Sequence, residues 1–72
     1  MRYFYNVNFQ WVIVETDKSF DAKNKFQFGF IELLDNFDMD TVILSIRKNI
    51  ANSHNTSLDN IRNLNLVAFN KA

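Results

Sequence analysis

His54 is the single histidine of the chain, and so the only side chain whose ordinary titration falls near neutral pH. A general base or a metal ligand needs partners held within a few ångströms. The residues around it are Ser53, Asn55 and Thr56, which read as a polar loop. His54 is therefore expected to be a solvated loop histidine. Asp35, Asp38 and Asp40 form the other cluster that could do chemistry. A calcium loop would need a glycine at its sharp turn and a distal bidentate glutamate, and neither stands at that spacing. Helix capping accounts for Asp38 and Asp40 more simply. With Gly29 as the only glycine, no glycine-rich loop can cradle a phosphate. Cysteine is absent, so neither a disulfide nor a zinc thiolate is available. No nucleophile has an evident base. The chain is expected not to be an enzyme, and no metal or cofactor is expected.

The elements that must position any other site follow from composition and periodicity. Seventy-two residues make one domain, spanning 1–72. Such a short chain buries a modest share of its surface, so its stability must come from packing or assembly. Eight Phe, two Tyr and one Trp supply heavy aromatic material. Lys and Arg number 8, as do Asp and Glu, giving a net charge of zero. That balance lacks the electrostatic footprint of a general nucleic-acid binder. No apolar run reaches the roughly 18 residues of a membrane span. The opening residues lack the apolar stretch of a signal peptide, so a cytoplasmic location is expected.

Residues 2–16 alternate with period two. Tyr3, Tyr5, Val7, Phe9, Trp11 and Ile13 share one parity, and Phe4, Asn6, Asn8, Gln10, Val12 and Val14 the other. This is a strand with one apolar and one mixed face. Residues 17–24 read as a hairpin loop, with Phe20 folded over a sheet edge. A second strand is expected over about 25–34, with Trp11 opposite Phe30 and Ile13 opposite Phe28. That register puts all the large aromatics on one face and sets Gly29 opposite Val12, as a bulge. Asp38 is placed to cap a helix running to about Asn52, whose apolar stripe is Met39, Val42, Ile43, Ile46 and Ile50. Ser57 should cap a short turn, and a third strand should run over about 62–70. The expected fold is α+β, β-β-α-β, a three-stranded antiparallel sheet of order 2-1-3 with one helix on one face.

A helix over the aromatic face leaves the other face open. There the spacing places Phe4, Asn6, Asn8, Gln10, Val12 and Val14 from the first strand. Ile31 and Leu33 come from the second, and Val67 and Phe69 from the third. Few charges, apolar anchors and amides are the composition of a protein-interface core. The last strand carries no charge between Arg62 and Lys71 and would be an unguarded edge.

The aromatic first strand, the Phe26-Gln27-Phe28-Gly29-Phe30 run and the segment Leu58-Asp59-Asn60-Ile61-Arg62-Asn63-Leu64-Asn65-Leu66 carry a resemblance. Together they resemble small uncharacterised proteins of gut bacteria, their mobile elements and phages. The resemblance implies a β-β-α-β fold and an accessory role, with no catalytic residue. The expected function is a small non-enzymatic protein–protein interaction module, binding a protein partner or its own copy as a homo-oligomer. The alternative is a nucleic-acid-binding regulator, for which Arg2, Lys25, Arg47, Lys48, Arg62 and Lys71 would have to cluster in space. Neither a membrane nor a small-molecule substrate is expected as a partner.

Overall fold

The computed structural model describes residues 1–16 and 19–72. Its elements are β1 (Arg2–Thr16), β2 (Ser19–Glu32), α1 (Met39–Ser53), a single 3-10 turn (Leu58–Asn60) and β3 (Ile61–Lys71). The strands form one antiparallel sheet in the order β2-β1-β3. The expected α+β architecture and its topology are therefore present. Among the described residues no helix is long and apolar enough to cross a membrane.

The long, alternating β1 is the central strand because both its neighbours need it. α1 lays its stripe across the odd-numbered face. Tyr5, Val7, Phe9, Val42, Ile46, Ile50, Ala51 and Ile61 make the buried cluster. Asp38 caps α1 as expected, accepting a hydrogen bond from the Asp40 backbone N–H at 3.3 Å. Arg47 reaches down from α1 and donates through Nε to the Ile61 carbonyl at 2.7 Å, tying the helix to the start of β3. Ser57 precedes the 3-10 turn but makes no side-chain cap bond. The turn is held instead by Asn60, which donates through Nδ2 to the Thr56 hydroxyl at 2.9 Å.

The register of the hairpin differs from expectation. Tyr5 lies opposite Gly29, Trp11 opposite Lys23, and Phe4 opposite Phe30. Pairing continues through Val14↔Phe20, so residues 19–24 are strand and not loop. Phe20 does not fold over an edge: it stands in β2, 68% exposed. Asp17 and Lys18, also assigned to the loop, lie outside the described residues. Gly29 carries no bulge. A Cβ there would stand 3.1 Å from the Tyr5 hydroxyl and 3.3 Å from its Cζ, tighter than ordinary contact, so the missing side chain lets the Tyr5 ring come close. That close approach selects the register, because no other β2 residue would leave space for a buried tyrosine.

β3 departs from simple alternation twice. Between Ala68, opposite Asn6, and Leu66, opposite Val7, Val67 is an extra residue. Between Asn65, opposite Asn8, and Arg62, opposite Gln10, β3 has one residue more than β1. There Asn63 adopts φ 53°, the left-handed region that asparagine tolerates better than most residues. Each bulge inverts the parity that follows it. Leu64, Leu66 and Phe69 consequently all pack against the core under the helix.

Candidate interaction surface

The corrected register redistributes the aromatics between the two faces. Phe20, Phe26, Phe28 and Phe30 share parity with Phe4, Asn6, Asn8 and Val14 on the side away from α1. They are 68%, 81%, 73% and 55% exposed, respectively. These four phenylalanines are the chief surface feature, and the sequence reading had put three of them in the core. The signal that would have found them is the position of the chain reversal. A turn close to Thr16 pairs Tyr5 with Gly29 and sends the even-numbered phenylalanines outward.

The expected contact residues separate accordingly. Phe4, Asn6, Asn8 and Gln10 lie half-buried on the open side, Val14 is 62% exposed there, and Val67 is 59% exposed at its bulge. Val12 shares their parity but is only 4% exposed, so it offers little contact area. Ile31, Leu33 and Phe69 are on the wrong side: all three pack against the core under α1. For Ile31 and Leu33 the cause is the hairpin register, and for Phe69 it is the bulge at Val67. Phe69 stacks on Tyr3 at 5.0 Å with rings 2° from parallel, and both meet the edge of Phe37.

Two local arrangements organise the open side. At one end Phe4 meets Phe30 edge-on at 5.8 Å, and the Arg2 guanidinium sits 4.3 Å above the Phe30 ring. Nearer the middle, Asn8, Gln10, Asn24, Asn63 and Asn65 line a shallow groove of about 320 Å³ beside Phe26. Asn63 donates through Nδ2 to the Gln10 side-chain oxygen at 3.1 Å, so these amides already pair with one another. By register, Arg2, Glu32 and Arg62 are the charges on this side: Arg2 and Glu32 pair at one end, while Arg62 lies opposite Gln10 beside the groove, which Lys25 also lines.

His54 is not the solvated histidine expected. Its ring stands edge-on to Phe9 at 5.7 Å and to Trp11 at 4.6 Å, with Nδ1 2.9 Å from the Ile50 carbonyl. It closes the C-terminal end of α1 over the sheet. Among the described residues no three His, Cys, Asp or Glu side chains gather where they could hold a metal ion.

The two edges of the sheet are also unlike. β3 was expected to be the unguarded one, yet it is broken by two bulges and bracketed by Arg62 and Lys71. β2 is 14 residues long, and its pairing with β1 shifts only between Val14 and Thr16. Bulges and charges, lysine above all, discourage strand addition. β2 carries Asp21, Lys23, Lys25 and Glu32, so only its Phe26–Ile31 segment is both uncharged and free of bulges. Compared with protein-family models, curated proteins and solved structures, the chain matches none of them, so its functional reading rests on this surface.

Proposed function

We propose that this chain is a small non-enzymatic protein-interaction module acting through the open side of its sheet and the β2 edge. The observation that carries this reading is the row of exposed phenylalanines on the side of the sheet that α1 leaves open. Exposed apolar patches of more than a few hundred Å² mark contact sites. Aromatic residues with few charges between them are the composition of interface centres. The flanking amides supply hydrogen bonds of the kind an interface rim uses. An accessory role in a phage or mobile element, within the host cytoplasm, fits a binder of this size. Either another protein or a second copy of the chain satisfies the surface.

The test is a paired measurement on the full chain and its Phe26→Ser/Phe30→Ser variant. Both side chains are exposed, so the circular dichroism spectrum should be unchanged. The parent should form a defined complex, with itself or with a purified candidate protein, and the variant should bind at least tenfold more weakly. Equal binding by both, or no complex with any protein, would remove the proposal.

A second reading, nucleic-acid binding, gains one observation. Exposed aromatics on an open sheet are a platform on which bases stack. Against it, Arg47 and Arg62 direct their guanidinium groups to the Ile61 and Asp59 carbonyls, and Arg2 covers Phe30. A salt-sensitive shift of single-stranded DNA or RNA would favour this second reading.

A further inference from the structure

We infer that the partner of the β2 edge is a second copy of the same chain, paired antiparallel about Phe28 to make a continuous six-stranded sheet. This rests on the interaction reading above and specifies its occupant.

The argument begins with parity. Two copies of β2 joined by a twofold axis perpendicular to the sheet must keep each face on its own side. Only residues of the same parity can then stand opposite each other, because side chains alternate between faces. Among the registers this allows, one centred on Phe28 sets Phe28 against its own copy and Phe26 against Phe30 of the second copy. All three phenylalanines then gain a cross-strand aromatic partner, the pairing that contributes most on a sheet surface.

Charge permits the same register. Centred on Phe28, Glu32 of one copy falls opposite Asn24 of the other. Lys25 falls opposite Ile31, and Gln27 opposite Gly29, so no like charges meet. Centring on Lys23, Asn24 or Lys25 would set lysine against lysine, which is destabilising when directly opposed. Registers centred on Lys23, Asn24 or Lys25 are thus disfavoured, and the Phe26–Phe30 segment carries no charge to oppose the pairing.

The shape of the molecule points the same way. A compact monomer of this mass would expose about 4,700 Å². This 8.5 kDa chain exposes 5152 Å². Its radius of gyration is 13.3 Å and its extents are 45 × 17 × 16 Å, an elongated ridge and not a sphere. β2 forms one long edge of that ridge, free of bulges through the Phe26–Phe30 segment. The twofold makes the contact isologous and closed, giving a dimer and not a filament.

The chain has no cysteine, so single-cysteine variants report the register directly. Phe28 and Phe20 are 73% and 68% exposed, and replacing either should leave the fold intact. Sedimentation of the full chain should give twice the 8.5 kDa monomer mass. Under mild oxidation Phe28→Cys should crosslink, while Phe20→Cys, far from the axis, should not. Phe28→Lys and Phe28→Glu should each be monomeric, and mixing them should restore the dimer. A monomer at every concentration, or equal crosslinking at positions 20 and 28, would overturn the register and the dimer. If that monomer still binds another protein through Phe26 and Phe30, the interaction module stands and only its occupant is wrong.

Discussion

Gly29 shows how one missing side chain can decide a register. Tyr5 is 4% exposed, and a Cβ on Gly29 would stand 3.1 Å from its hydroxyl, so the ring would have to shift by a few tenths of an ångström. Gly29→Ala should therefore destabilise the fold by about 1–3 kcal/mol, the usual result of overpacking a fitted core. Urea unfolding followed through Trp11 fluorescence checks this. Tyr5→Phe in the same chain should recover part of the loss, since it removes the atom at 3.1 Å and leaves the one at 3.3 Å. The sequence reading recognised Gly29 as unusual but preferred a bulge, because both causes leave the same mark in a strand. His54 was misplaced for a related reason. Its sequence neighbours are polar, and only the docking of α1 on β1 brings Phe9 and Trp11 against its ring.

At the level of elements, what was legible followed from periodicity. β1 was expected over 2–16 and is found there, and α1 begins one residue after its expected cap. Facing was less legible, because parity survives only while the count stays regular. Val67 illustrates this: the strand was located to within a residue or so, yet one inserted residue moved Phe69 to the other side. Deleting Val67 should be tolerated within about 1 kcal/mol, since Leu66 and Ala68 would then pair with the adjacent Val7 and Asn6 without a bulge. Deleting Gln27 from the bulge-free stretch of β2 should be far more damaging. It must either create a bulge or exchange faces along the rest of the strand. Comparing the two deletions by thermal melting tests the asymmetry. The open face was correctly expected to be uncovered, but its strongest anchors were not foreseen, because they had been assigned to the core.

For the whole molecule, the surface makes its own demand on solution conditions. An association built on phenylalanine pairs and backbone hydrogen bonds has little charge to screen. Raising the salt concentration should leave the dimer mass unchanged or favour it, because salting-out ions strengthen apolar burial. Binding to a nucleic acid would respond in the opposite sense, losing affinity as salt rises. A sedimentation series in sodium sulfate separates the two readings on one sample.

The position of β1 also has a consequence in time. As the chain emerges from a ribosome, the strand destined for the centre is made first, and one of its two neighbours is made last. Tyr3 must wait for Lys71, and Trp11 for Ile61. Such long-separation pairings close slowly. Until they close, the early hairpin shows phenylalanines on one side and the future core on the other. The rate at which α1 docks onto that hairpin, before β3 pairs, sets how long the chain can be captured by the wrong strand.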